Sequence, residues 1–148
     1  MRTFVIACGN TLRRDDGVAH RVVELLGPIP DSETRTPIQL APELAAEIAG
    51  AETVIFIDAD LGASALSVDE LDPRSPRAAH RVISTLSHAA GPEEIAALSA
   101  ACFGFAGKVF VCRIPVVDVT PGEGLTPETG ALAAEAARRL APLLFNVR

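Results

Sequence analysis

Tryptophan and tyrosine are absent from this 148-residue chain, and Lys108 is its only lysine. With 13 basic against 19 acidic side chains the formal charge is -6, which argues against a footprint of clustered cations for nucleic acid. Six phenylalanines leave few stacking platforms for single strands, and neither DNA nor RNA is expected as a partner. The three cysteines, Cys8, Cys102 and Cys112, are odd in number and far apart, which suits neither a disulfide framework nor a zinc ribbon. They are expected to be reduced core residues. No apolar run approaches the ~20 residues needed to cross a bilayer. The N-terminal stretch Thr3 to Cys8 is too short for a signal peptide and stops at Gly9. A cytoplasmic protein with no membrane partner is expected.

What is present describes one domain, residues 1–148, with 49% hydrophobic and 22% charged residues and a mean hydropathy of +0.30. Thr3 to Cys8 is a continuous apolar run of the kind buried on both faces of a sheet. After the polar loop Thr11 to Arg14, Asp15 or Asp16 can cap a helix carrying Val18, Val22, Leu25 and Leu26 at helical spacing and ending near Gly27. A weak strand is expected over Pro37 to Leu40. A helix is expected from Pro42 to a Gly50 cap with Leu44 and Ile48 inward, then a strand from Thr53 to Ile57 with Asp58 at its end. Ala65 to Leu71 reads as a short edge strand, Thr85 to Gly91 as a loop, Pro92 to Phe103 as a helix and Lys108 to Ile114 as a buried strand. Thr126-Pro127 opens a last helix with Leu132, Ala136, Leu140 and Leu144 on one face.

Strands alternating with helices imply an α/β fold of three layers, α/β/α, around a mostly parallel twisted sheet. In the common doubly wound order the first and third strands are neighbours whose connections leave in opposite directions, opening a crevice at their carboxyl ends. Asp15, Asp16, Asp58 and Asp60 would line it.

Ala7-Cys8-Gly9-Asn10-Thr11 follows a strand and precedes a helix, but it has one glycine where a dinucleotide fingerprint asks for three. Two aspartates at the helix start would also repel a pyrophosphate. No P-loop and no Gly-x-Ser-x-Gly elbow occurs, and Cys8 is too apolar in context for a nucleophile. There remain carboxylates at strand ends and His88, an oxygen and imidazole set that suits a borderline divalent metal such as nickel or zinc. Capping accounts comfortably for one of Asp15 and Asp16, less well for both. Asp58 could accept hydrogen bonds from the following turn, yet a charge abutting a buried strand needs compensation that a bound cation would supply. From composition His88 reads as a polar loop residue, and His20 and His80 as solvated. Gln39, at another strand end, could position a bound peptide, and Gly122 and Gly124 could let their loop approach a ligand.

Gly9-Asn10-Thr11-Leu12-Arg13-Arg14-Asp15-Asp16-Gly17-Val18, Ile57-Asp58-Ala59, Ser87-His88 with Pro92-Glu93-Glu94 and Phe103-Gly104, and Gly122-Glu123-Gly124-Leu125-Thr126-Pro127 occur in that order. Together they resemble the motifs of the hydrogenase maturation proteases, and Gln39-Leu40-Ala41-Pro42-Glu43-Leu44 resembles one branch of that family. The resemblance implies a phosphorylase/hydrolase-like sheet flanked by helices. It also implies an aspartate-dependent endopeptidase that trims the C-terminal extension from a nickel-iron hydrogenase large-subunit precursor once nickel is inserted. By the same resemblance Asp16, Asp58 and His88 would be the metal-recognising and catalytic trio, with Asp15 or Gln39 supporting the substrate. Nickel would be supplied by the precursor, another divalent metal being conceivable in the isolated protein. The chain departs from the family in carrying Ala19-His20, which adds bulk where a second glycine is common, and in small residues after His88. The alternative expectation is a metal-binding accessory or chaperone that docks a nickel protein without cutting it.

Overall fold

A computed structural model of the chain describes residues 2–78 and 90–145. Strands β1 (Thr3–Cys8), β2 (Ser32–Arg35), β3 (Thr53–Asp60), β4 (Ser67–Leu71) and β5 (Lys108–Pro115) form one sheet in the order β2-β1-β3-β5-β4. All neighbours are parallel except β4, which runs antiparallel to β5 at the edge. Helices α1 (Val18–Leu26), α2 (Leu44–Glu47), α3 (Pro92–Phe103) and α4 (Pro127–Phe145) cover the two faces, with a single 3-10 turn, Arg14–Gly17, leading into α1. The expected α/β fold in three layers is therefore present.

Alternation along the strands makes the layers. Val5, Ala7, Ile55, Ile57, Cys112 and Ile114 face Val18 and Val22 of α1 and Ala133, Ala136 and Leu140 of α4. Their neighbours Phe4, Ile6, Val54, Phe56, Val109 and Val111 face Leu44 of α2, Ile48 just after it, and Ile95 and Leu98 of α3. Such two-sided burial is why β1, β3 and β5 read as continuous apolar runs. On the second face the hydroxyl of buried Ser99 donates to Ala45 O at 2.7 Å, joining α3 to α2.

Several expectations are corrected. The second strand is Ser32–Arg35, not Pro37 to Leu40. As an edge strand it tolerates polar residues, and Arg2 and Arg35 pair with Glu33 while stacking over the Phe4 ring. The helix drawn from Pro42 to Gly50 shortens to Leu44–Glu47, because its first bonds span three residues, as in Ala45 N to Pro42 O. Gly50 does not cap it. Of the cysteines Cys112 is buried, whereas Cys8 is half-buried and Cys102 exposed. The loop drawn over Thr85 to Gly91, apart from its last two residues, and His80 lie outside the described residues.

Neither aspartate of the pair caps α1 with its side chain. Asp15 is fully buried and reaches instead across to the loop between β5 and α4. Its carboxylate accepts the backbone N–H groups of Val117, Asp118 and Thr126 at 3.2, 3.1 and 2.8 Å and the hydroxyls of Thr126 and Thr129 at 3.0 and 2.9 Å. Backbone bonds zip the same loops together: Asp15 N to Asp118 O, Arg14 N to Gly122 O and Gly122 N to Leu12 O. Gly122, at φ 144°, lies so close to the Arg14 guanidinium that a Cβ would stand 2.8 Å from it, so this glycine serves contact within the protein.

Burial opposes the charge of Asp15, but the hydrogen bonds from Thr126, Asp118, Val117 and Thr129 prevail and hold its pKa below the ordinary 3.8. A depressed pKa adds stability that is present above the unfolded value and lost as the pH falls through the folded one. Asp15→Ala, which leaves buried donors without an acceptor, is expected to cost about 3–5 kcal/mol at pH 7. In urea titrations at several pH values, wild type and variant should converge as the pH falls below 3.8. A loss that stays constant with pH would contradict this account.

Candidate functional site

The strands end unevenly. β1 stops at Cys8, which pairs with Asp58, while β3 continues to Asp60 and β5 to Pro115. Asp58 thus lies inside β3 rather than at its tip, as the sequence suggested, but it borders the point where β1 has ended. There the chain leaves β1 through Gly9 towards α1 and leaves β3 towards β4, so the connections diverge, the topological switch at which sheets of this kind open a crevice.

The backbone of the first loop folds Asp16 over this crevice. Gly9 has φ 151°, and a Cβ there would lie 1.9 Å from Asp16 O, so no side chain fits. Asn10 N donates to Asp16 Oδ2 at 2.8 Å, and Asn10 Oδ1 accepts Leu12 N at 2.9 Å. Asp16 and Asp58 are close enough for the Asp16 charge to disfavour ionisation of Asp58.

Burial, foremost, then Asp60, with Arg113 opposing and Asp16 and Glu93 adding, push the Asp58 carboxyl up to about 6. Arg113 neighbours Asp58 across the β3–β5 pairing, and its guanidinium is hydrogen-bonded to Glu93 in the first turn of α3. Asp60 makes the turn contact considered for Asp58, its Oδ1 accepting Gly62 N at 2.8 Å. Burial and then the Asp58 and Asp16 charges raise the Cys8 thiol to about 11, and it donates to Ile38 O at 3.7 Å. A thiol so held is protonated at neutral pH and a poor nucleophile.

The structure therefore brings Asp16 and Asp58 together, with Asp60 beside them. Asp15 is a brace beneath the crevice, with no oxygen presented to it. Gln39 is exposed on the loop after β2, in a groove of about 260 Å³ shared with Arg35, Glu43 and Glu47. Gly9 N holds this loop against the end of β1 through Pro37 O at 3.0 Å. His88 lies outside the described residues. Among the described residues, no group of three or more His, Cys, Asp and Glu side chains is arranged to hold a metal ion. Ala19 lies on the buried face of α1, packed into the core, so its bulk does not enter the crevice, and His20 is half-buried with Nδ1 unpartnered among the described residues, not solvated. Arg113 and Glu93 escaped sequence reasoning, although a lone arginine inside the run Val109 to Ile114 demanded an anionic partner.

No family model and no curated protein matches the sequence. Solved structures do match. The hydrogenase maturating endopeptidase HybD from E. coli superposes with a TM-score of 0.72 at 22% identity, over 97% of this chain and 91% of that one. A hydrogenase 2 maturation peptidase from a Thaumarchaeota archaeon gives 0.68 at 24% identity, over 97% of both chains. The [NiFe] hydrogenase maturation protease HycI from Thermococcus kodakarensis KOD1 gives 0.69 at 18%, over 97% and 92%. At these identities the likeness establishes the shared fold.

Two predictions follow from the geometry of the crevice. Gly9→Ala should lower stability by at least about 2 kcal/mol in thermal or denaturant unfolding, since the clash is with backbone. Asp58, raised from 3.8 to about 6, binds its proton more tightly folded than unfolded, so its ionisation erodes stability as the pH rises through that window. Asp58→Asn is accordingly expected to stabilise the protein at pH 7.5 by on the order of 1–3 kcal/mol and to change it little at pH 4. A stability difference independent of pH would show that the carboxyl is not perturbed.

Proposed function

We propose that this chain is a hydrogenase maturation endopeptidase. Its substrate is a nickel-iron hydrogenase large-subunit precursor, from which it removes the C-terminal extension after nickel insertion. The observation that carries this reading is the meeting of Asp16 and Asp58 at the switch between β1 and β3, on a fold shared with proteins named as hydrogenase maturation peptidases. Nickel belongs to the substrate, and Asp16, Asp58 and His88 recognise it there. A divalent metal taken up by the isolated protein would be a surrogate.

The chemistry is hydrolysis of a peptide bond. With Cys8 protonated, water is the nucleophile, and a crevice carboxylate takes its proton as it attacks the scissile carbonyl. In the crevice without its cation Asp58 is raised to about 6, near neutral pH, where a base is ionised and still basic enough to accept a proton, and nickel held against it would lower that value. Arg113, fixed by Glu93, keeps enough positive charge beside Asp58 to stop burial from neutralising it altogether. Gln39, exposed on the loop after β2, would hold the extended peptide, and a cytoplasmic setting goes with this substrate.

Intact-mass spectrometry of the nickel-loaded precursor tests the reading, with metal-free precursor as control. Wild type should release the C-terminal peptide only when nickel is present. Asp16→Asn, Asp58→Asn and His88→Ala should slow release by about 10²-fold or more while keeping a cooperative thermal transition. Nickel-dependent binding without a change in mass would favour the accessory protein over the protease.

A further inference from the structure

Solitary exposed apolar side chains are ordinary on protein surfaces, so where they gather matters more than how many there are. Leu25, Phe103, Leu143 and Phe145, each 36–49% exposed, sit in the last turns of α1, α3 and α4, at the far end of the sheet from the crevice. Leu12, Ile38, Leu61 and Val117 are 61–67% exposed and stand on the loops that follow β1, β2, β3 and β5. Every parallel strand of the sheet thus delivers one strongly exposed aliphatic side chain to the end that carries Asp16 and Asp58.

These loops are held in place. Leu12 is fixed through its N–H to Asn10 Oδ1 at 2.9 Å and its carbonyl to Gly122 N at 2.8 Å. Val117 N donates to buried Asp15 at 3.2 Å. Leu61 lies in the turn closed by Gly62 N on Asp60 Oδ1, and Ile38 O accepts the Cys8 thiol. Their exposure is therefore built into the backbone, and a partner would meet a surface whose ordering cost is already met. The same end of the sheet carries Asp16, Asp58 and Asp60, so a partner that meets both sets of side chains is apolar where it touches the loops and cationic where it touches the acids.

We propose that Leu12, Ile38, Leu61 and Val117 form a rim that docks on the folded body of the protein substrate, around an embedded cation. Recognition is then carried by a folded surface and not only by the peptide to be cut. This inference rests on the proposed function for its partner.

The test compares wild type, the rim variant Leu61→Ser/Val117→Ser and the control Leu25→Ser/Leu143→Ser on the nickel-loaded large-subunit precursor, reading Kd by calorimetry and kcat and KM by mass spectrometry. The rim variant should raise Kd and KM about tenfold or more, with kcat reduced less than twofold and the melting temperature unmoved. The control should match wild type. Equal Kd for rim variant and wild type would overturn the proposal. If wild type binds but does not cut, the protease reading fails alone and the rim is still judged by the Kd comparison. If wild type does not bind the precursor at all, both readings fall. Sedimentation of the free proteins covers the remaining occupant, since a wild-type dimer dissolved by the rim variant would assign the rim to self-association and overturn the proposal.

Discussion

The buried carboxylate of Asp15 is the constraint on which the carboxyl end of the sheet depends. Removing an aspartate charge from water costs several kcal/mol, and five donors from one loop and helix start offset it. Three are backbone N–H groups at the end of β5 and the start of α4, where the helix dipole also favours a negative charge. Because Thr126 and Thr129 belong to the α4 start and Asp15 to the 3-10 turn before α1, this carboxylate ties together the two helices that pack on one face of the sheet. It also fixes Asp16. Successive residues of a 3-10 turn point about a third of a revolution apart, so with Asp15 directed inward, Asp16 is turned to the crevice and to Asn10 N. The two adjacent acids are not redundant: one is committed to the fold, and its commitment orients the other.

Unequal strand lengths supply the second half of the site. Had β1 continued past Cys8, it would have covered the edge of Asp58 and left a desolvated charge with only Arg113 to balance it. Its end at Gly9 opens the crevice, yet burial still dominates the Asp58 environment. The contrast with Asp60 is instructive, since two residues further on the same strand the carboxylate has a turn N–H to accept. A carboxyl whose charged neighbours oppose one another, with no hydrogen bond to it among the described residues, is poorly placed for stability and well placed for proton transfer, a trade common at sites that act on a substrate.

How much of this could be read from the sequence depended on how many faces of each segment are buried. β1, β3 and β5, sandwiched between helix layers, announce themselves as apolar runs, and α3 and α4 by a proline at the first turn followed by helical spacing. β2 carries Ser32-Glu33-Thr34-Arg35, because an edge strand can satisfy polar side chains in solvent, and the apolar residues nearby mark a loop crossing the end of β1 instead. α2 is held by Leu44, Ala45 and Ile48 in the core, and three inward residues do not reveal how few turns surround them. At the site, the pairing of acids was legible from the opening motif, but sequence spacing does not say which of two adjacent side chains faces inward. Asp15 therefore passed for a substrate contact. Arg113 and Glu93 come together only through the packing of α3 on β5, a relation with no local signature.

In the proposed reading the acidic floor and the apolar rim act as one device. A carboxylate and a cation about 4 Å apart attract by about 1 kcal/mol in bulk water and by about 4 kcal/mol at an effective dielectric of 20. The first value separates a charged from an uncharged partner by roughly fivefold, the second by roughly a thousandfold. Carboxylates in an open crevice cannot reach the second regime by themselves, since solvent screens them. Leu12, Ile38, Leu61 and Val117, closing on an apolar surface, would exclude that solvent at the moment of contact. Two carboxylates can then discriminate a metal-bearing partner from a metal-free one, and they do so only while the surrounding surfaces fit.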